Sequence, residues 1–130
     1  MTRVPKQPKL IYERLTYKIR GAIFKVYNEL GFGHRESVYR KALAIEFNKQ
    51  EIHHKEEPRL EIKYDGVSVG VYVPDFLVDD KVIIEMKSVD FLPKEAEKQL
   101  VYYLKGTSYR LGFLVNFGAS RLEIKRKIWG

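Results

Sequence analysis

Apolar residues recur every three or four positions in the N-terminal part of the chain, which predicts two amphipathic helices. The first begins near Ile11 and ends at the glycines of residues 31–33, and the second runs from about Glu36 to Gln50. Their apolar stripes consist of Leu15, Ile19, Ala22, Ile23, Val26 and Leu30 in the first helix, and of Tyr39, Leu43 and Phe47 in the second. Both helices should therefore pack one face against a core.

The rest of the chain is dominated by alternating or continuous apolar runs, which predict β-strands. The strands cover about residues 59–64, 67–73 with a continuation through Asp75, 82–88, 109–117 and 121–128, and a third helix covers 94–105 and stops at Gly106. The predicted order is α-α-β-β-β-α-β-β. This is an α/β fold with a mixed sheet flanked by helices, in which the third helix connects two parallel strands.

Residues 72–88 form the most informative stretch, two strands around an acidic turn. Glu85 and Lys87 are two positions apart in the second strand, so they share one face. A two-residue loop would place Asp75 opposite an apolar residue, whereas a three-residue loop at 79–81 would place it opposite Glu85. The second register keeps acid with acid and apolar with apolar. We therefore predict that Asp75 and Glu85 lie side by side.

Two facing carboxylates repel each other, and a divalent cation removes that repulsion. Carboxylate oxygens suit Mg²⁺ or Mn²⁺ rather than zinc. A lysine beside such a site can orient an attacking water or stabilise developing charge, which indicates metal-assisted phosphodiester hydrolysis. The alternative is a hairpin with a surface salt bridge between Glu85 and Lys87.

Two motifs resemble known nucleases. Pro74-Asp75, nine intervening residues and Glu85-Met86-Lys87 resemble the signature of the PD-(D/E)XK nucleases. Gly33-His-Arg-Glu36-Ser-Val-Tyr39 resembles the GxxExxY protein family, which is placed in the same superfamily. The similarity covers about residues 15–128 and implies a restriction-endonuclease-like fold.

The resemblance also implies an activity and the residues that carry it. It predicts a metal-dependent DNA nuclease (a Mg-dependent deoxyribonuclease) that hydrolyses phosphodiester bonds with an activated water. Asp75, Glu85 and the Met86 carbonyl would hold Mg²⁺ or Mn²⁺. Glu36 would complete or support this set of ligands. Lys87 would position the water or stabilise the transition state.

Gln99 and Tyr103 are four residues apart on the third predicted helix and resemble the QxxxY element of exonuclease-like members. The resemblance implies that they bind substrate, and it gives Tyr39 the same role. Without the resemblance, a half-buried glutamine beside a core tyrosine is the simpler interpretation. His53-His54 is expected in a surface loop or at a strand start, because adjacent strand residues point to opposite faces and at most one could bind metal.

The net charge of +7 is unevenly spread, with +5 in residues 1–30, −4 in 31–97 and +6 in 98–130. An acidic centre between basic ends suits a cation site beside a DNA-binding surface, although a solvated basic exterior is the favoured explanation of the charge taken alone. The chain has no cysteine, which excludes disulfides and Cys-based zinc sites. It also lacks an apolar run of about 20 residues and the apolar core of a signal peptide, so a cytoplasmic protein without a membrane partner is expected.

Residues 1–9 are expected to form a basic arm and residues 10–130 a single domain. The alternative function is a non-catalytic module on a nuclease fold that binds nucleic acid or a protein partner. A small catalytic domain often needs a second copy to hold duplex DNA, so a homodimer is a further expectation.

Overall fold

The computed structural model describes residues 11–130, so the predicted basic arm lies outside the described residues. The three helices are α1 (Glu13–Leu30), α2 (Glu36–Lys49) and α3 (Lys94–Thr107). The strands are β1 (His54–Glu56), β2 (Leu60–Tyr64), β3 (Val67–Tyr72), β4 (Phe76–Val78), β5 (Val82–Lys87), β6 (Leu111–Asn116) and β7 (Glu123–Ile128). Within this part of the chain, no helix combines the length and the apolar character needed to cross a membrane.

Five strands form a mixed sheet in the order β1-β4-β5-β6-β7, and β2 and β3 form a separate hairpin. β5 and β6 are parallel and are connected through α3, while the other pairs are antiparallel. Helices α1 and α2 pack on one face of the sheet, and α3 with the β2–β3 hairpin packs on the other. The predicted mixed sheet with flanking helices and a parallel crossover is therefore confirmed.

The apolar stripes predicted for the first two helices face the core. Ile19, Ala22, Ile23 and Val26 of α1 are buried, as are Tyr39, Leu43 and Phe47 of α2. All six residues of β6 are buried, because this central strand is covered on both faces. The functional hairpin β4–β5 is thus supported by a rigid sheet.

One strand prediction was wrong, and one short strand was missed. The strand expected to continue through Asp75 is broken at residues 73–75, so that β3 and β4 belong to different sheets. Because Pro74 has no N–H to donate to a neighbouring strand, the chain leaves the β2–β3 hairpin there and then enters the five-stranded sheet. β1 was not predicted, because three residues are too few for an alternating pattern. His54 is its first residue, as the expectation of a strand start at His53-His54 allowed, and its ring packs against Phe47 of α2 and Phe76 of β4.

The sequence predicted that the third helix stops at Gly106, and this prediction was wrong. α3 continues to Thr107, and Ser108 ends it in a left-handed conformation with φ of 65°. A Cβ on residue 106 would lie 3.0 Å from the Ile62 Cγ2 atom. Glycine at this position lets α3 approach β2 closely, which fixes the β2–β3 hairpin over the sheet.

Candidate active site

The register of the β4–β5 hairpin is the one that the three-residue loop predicts. Phe76 pairs with Ile84 and Val78 pairs with Val82, so that Asp75 follows opposite Glu85. The intervening turn is acidic, and Asp79 and Asp80 adopt φ values of 51° and 54°. Asp75, immediately before β4, and Glu85 on β5 therefore lie side by side, and this prediction is confirmed.

Asp75 is held by two contacts. Its Oδ2 accepts a hydrogen bond of 2.7 Å from the Met86 backbone N–H, and its Oδ1 lies 3.3 Å from Arg40 Nη1. The Asp75 side chain is only 14% exposed, so the carboxylate has little freedom to turn away from β5. Sequence analysis missed Arg40, although its position one helical turn after Glu36 could have indicated that it shares the same helix face.

The Met86 carbonyl faces the same edge of β5 as Asp75. In a strand, the N–H and C=O of one residue point to the same side, and those of its neighbour point to the other. The Met86 N–H is bonded to Asp75, while the Lys87 carbonyl accepts a bond from Phe117 of the β6 side. Because β4 begins only at Phe76, the Met86 carbonyl points into the space beside the Asp75 carboxylate.

Glu85 is half-buried beside Asp75. Burial raises the pKa of Glu85, and the charge of Asp75 raises it further, to about 7. The Tyr72 hydroxyl, the Lys87 ammonium and the Asp75 backbone N–H act in the opposite direction. A carboxyl group whose pKa is raised by burial and by a neighbouring acid is frequent at functional sites.

Tyr72 is a second residue that sequence analysis missed. Burial, followed by the nearby Glu85 carboxylate, raises the pKa of the Tyr72 hydroxyl well above its ordinary value. Among residues 11–130, this hydroxyl is one of two buried side-chain polar atoms that have no hydrogen-bond partner of ordinary geometry. It is nevertheless close enough to Glu85 to lower the pKa of that carboxyl. Tyr72 therefore lies against the site with its hydroxyl close to the Glu85 carboxyl.

The metal-free protein is expected to lose stability as pH rises from about 4.5 to 7. The folded-state pKa of Glu85 is about 7 against an ordinary 4.5, so the stabilising contribution is complete below pH 4.5 and is lost as pH passes the folded value. A shift of this size corresponds to about 3 kcal/mol at most. Denaturant unfolding in EDTA across this range measures it.

The variant Glu85→Gln should abolish that pH dependence, because glutamine stays neutral. Glu61→Gln is a matched control, since Glu61 lies on β2 with a side chain 57% exposed and should leave the slope unchanged. An unchanged slope in Glu85→Gln would show that Glu85 is not the titrating group.

Tyr103 and Gln99 differ in how closely they approach the acidic pair. The ring of Tyr103 stacks on Tyr72, with centroids 3.7 Å apart and planes at 9°. Gln99 lies one turn earlier on α3 and is exposed. Tyr103 is therefore connected to Glu85 through Tyr72, whereas no contact joins Gln99 to the carboxylates, and their roles in substrate binding remain predictions.

Tyr39 does not occupy a position from which it could bind substrate, and that expectation requires correction. It is completely buried, and its ring stacks on Phe117 at 4.2 Å. Its hydroxyl donates to the Gly31 carbonyl at 2.7 Å and accepts from the His34 N–H at 3.1 Å. Tyr39 thus fastens the loop between α1 and α2 to the core.

Glu36 is the first residue of α2 and is exposed. Arg40, one turn later, is the residue of this helix that contacts Asp75. Within residues 11–130, no three His, Cys, Asp or Glu side chains come together as a metal-binding group. The structure therefore brings Asp75 and Glu85 together but does not add Glu36 as a third ligand.

The segment after Lys87 is fixed by Asn116, which is completely buried. The Asn116 Oδ1 accepts from the Val89 N–H at 3.0 Å, and its Nδ2 donates to the Val89 carbonyl at 2.9 Å. The same Oδ1 accepts from the Gly118 N–H at 3.0 Å. Ser88 Oγ also donates to the His34 carbonyl, which joins this segment to the loop before α2. The end of β5 is thus held in place around Lys87.

The fold and the acidic hairpin define a class of protein, an α/β domain with an Asp…Glu-X-Lys constellation whose aspartate immediately precedes β4 and whose glutamate and lysine lie on β5. The family model of the PD-(D/E)XK nuclease superfamily matches residues 13–127. The chain therefore belongs to the PD-(D/E)XK nuclease superfamily. The narrower resemblance to the GxxExxY family stays a prediction.

A solved structure supports the same fold. The crystal structure of SSO0001 is similar to the chain with a TM-score of 0.52 and 19% sequence identity, and the match covers 92% of this chain and 59% of that one. At this identity the likeness concerns the fold alone, and the chain spans less than two thirds of SSO0001. No curated protein matches the sequence.

Proposed function

We propose that the protein is a metal-dependent DNA nuclease that hydrolyses phosphodiester bonds. The observation that carries this proposal is the register of β4 and β5, which sets Asp75 opposite Glu85 with Lys87 on the same face. The membership of the superfamily supports a nuclease-type function, and the geometry supports the residues assigned to it.

The donor atoms beside Asp75 fit a hard divalent cation. Two carboxylates and the Met86 carbonyl are all oxygen ligands, and Mg²⁺ is commonly bound by one or two carboxylates with several waters. Burial and the charge of Asp75 raise the pKa of Glu85, and a bound cation would offset both effects because it favours the charged carboxylate. Bound Mg²⁺ or Mn²⁺ would polarise the phosphate and lower the pKa of a coordinated water. Asp75 and Glu85 would hold it.

Lys87 and Arg40 supply the positive charges around this pair. Lys87 shares the face of Glu85, where its ammonium can hold the attacking water or stabilise charge that develops on the phosphate. Arg40 is about one quarter exposed and pairs with Asp75, so its guanidinium is close enough to contact a bound phosphate while it orients the carboxylate.

DNA is the proposed substrate because the chain carries a net charge of +7 around an acidic centre. Incubation of the purified protein with supercoiled plasmid and with circular single-stranded DNA tests the function. Cleavage is expected with Mg²⁺ or Mn²⁺ and should stop when EDTA is added. A solution mass measured in the same buffer tests the proposed homodimer.

A non-catalytic nucleic-acid-binding module is the second candidate, and the Arg40–Asp75 ion pair favours it. This pair places a fixed positive charge 3.3 Å from the carboxylate that would otherwise bind metal. DNA binding in EDTA without cleavage under any metal condition would support the module and contradict the nuclease. Cleavage of either DNA would exclude the module.

A further inference from the structure

A cleft of about 750 Å³ opens at the carboxyl ends of the parallel strands β5 and β6. Its walls come from the loop before α2, the segment that follows Lys87, and the segment that connects β6 to β7. The crevice outside the carboxyl ends of parallel strands is a common place for ligands in α/β proteins. The cleft is distinct from the carboxylate pair, because neither Asp75 nor Glu85 lines it.

Two phenylalanines line this cleft and expose their rings. Phe32 is 56% exposed and Phe91 is 88% exposed. Isolated exposed apolar side chains are ordinary, but two aromatic rings in one cleft beside a candidate site need a reason. Neither ring takes part in the two apolar cores of the described chain.

The backbone that carries both rings is held firmly. Asn116 fixes Val89 on one side of Phe91 through two hydrogen bonds. Gly33, next to Phe32, donates its N–H to the Phe117 carbonyl at 3.1 Å. The rings therefore project from positioned supports, which lowers the entropy cost of binding a flat ligand between or upon them.

The charges of the cleft favour bases over phosphates. Asp90 and Glu123 line it together with a single basic residue, Arg121, so its walls carry no excess of positive charge. Aromatic rings stack on nucleobases of any sequence, while the phosphates are bound elsewhere by basic groups. Phe91 is four residues from Lys87, which limits the separation of their Cα atoms to about 14 Å.

We propose that Phe32 and Phe91 form a stacking platform for unpaired bases of the same strand whose phosphate lies at Asp75 and Glu85. This inference rests on the proposed function and narrows its substrate to single-stranded or frayed nucleic acid. In an intact duplex, the faces of the bases are already stacked on their neighbours and only the end pairs could reach the cleft.

Binding in EDTA tests the platform without any cleavage. Fluorescence anisotropy with a labelled single-stranded oligonucleotide and with its duplex should show tighter binding of the single strand. Phe91→Ala should weaken single-strand binding by about tenfold and leave duplex binding nearly unchanged. Phe91→Tyr should retain binding, and Phe91→Leu should lose it, because leucine is apolar but has no ring to stack.

Phe24→Ala is the matched control, since Phe24 lies on α1, is 43% exposed and does not line the cleft. A series of oligonucleotides with one abasic position gives a further test. At the stacked position, removal of the base should weaken wild-type binding about as much as Phe91→Ala does, and the two changes together should add little.

Wild-type affinity in Phe91→Ala, or full affinity in Phe91→Leu, would overturn the platform. If the variants behave as expected but no DNA is cut with Mg²⁺ or Mn²⁺, the platform stands and the nuclease proposal fails. If DNA is cut but the variants bind like wild type, the nuclease stands and the platform fails.

Discussion

Asp75→Asn is expected to lower the rate of DNA cleavage by at least about 10²-fold while leaving the folded protein intact. The asparagine Oδ1 can still accept the hydrogen bond that the Met86 N–H donates at 2.7 Å, so the local structure has a reason to persist. The variant loses one of two charges that would hold the cation. It also removes the charge that adds to burial in raising the pKa of Glu85, which offsets the loss of the Arg40 ion pair, so its stability above pH 7 should stay close to that of wild type.

The combination of lost activity and retained stability separates a catalytic role from a structural one. Asp79→Asn is the matched control, because Asp79 lies in the same hairpin, has a side chain 47% exposed and forms an ion pair with the nearby Lys81. Plasmid cleavage at several Mg²⁺ concentrations and denaturant unfolding at pH 8 measure the two properties. Full activity in Asp75→Asn, or equal loss in Asp79→Asn, would contradict the assigned role.

Lys87→Ala should lower cleavage to a similar extent, because the ammonium would no longer act on the water or the phosphate. Unlike Asp75→Asn, it removes a positive charge that lowers the pKa of Glu85, so this variant should be less stable at pH 8. Lys81→Ala removes an exposed lysine from the same hairpin and is expected to cleave normally. The different stability effects at positions 75 and 87 make the pair of variants informative even if both are inactive.

The sequence was sufficient to place Asp75 beside Glu85 because the side-chain period of a strand is two. Only one loop length pairs both acids and both apolar neighbours, and a slip of one residue would move every side chain of β4 to the wrong face. The helices could be predicted for a related reason, since each buries a stripe of apolar residues at helical spacing. These features depend on local patterns that are visible along the chain.

The sequence was not sufficient where a contact joins distant segments. Arg40 meets Asp75 and Tyr72 lies beside Glu85, and neither pair has a periodic signal. Tyr39 was expected to bind substrate because of the motif in which it lies. Its hydroxyl instead forms hydrogen bonds with the backbone of the preceding loop. Asn116 was missed because it binds the backbone of Val89, and a backbone partner leaves no residue pattern in the sequence.

Gly118→Ala is expected to lower the free energy of unfolding by about 3 kcal/mol or more. A Cβ at this position would lie 2.1 Å from the Val89 backbone nitrogen and 2.4 Å from the Ser88 carbonyl carbon. Backbone atoms cannot turn aside as a flexible side chain can, so the segment after Lys87 would have to move. That movement would break the two hydrogen bonds between the Asn116 amide and the Val89 backbone.

Gly21→Ala provides the control for this prediction, because a Cβ at position 21 meets nothing within 4 Å. Alanine is more favourable than glycine in a helix interior, so the free energy of unfolding should rise by about 0.5–1 kcal/mol. Chemical denaturation of both variants at pH 6 compares them directly. Since Ser88 and Val89 follow Lys87, any folded Gly118→Ala should also cleave DNA more slowly than wild type, whereas Gly21→Ala should not. Wild-type stability in Gly118→Ala would mean that the segment after β5 is not packed against residue 118. Lys87 and the cleft lined by Phe32 and Phe91 would then lack rigid support from that contact.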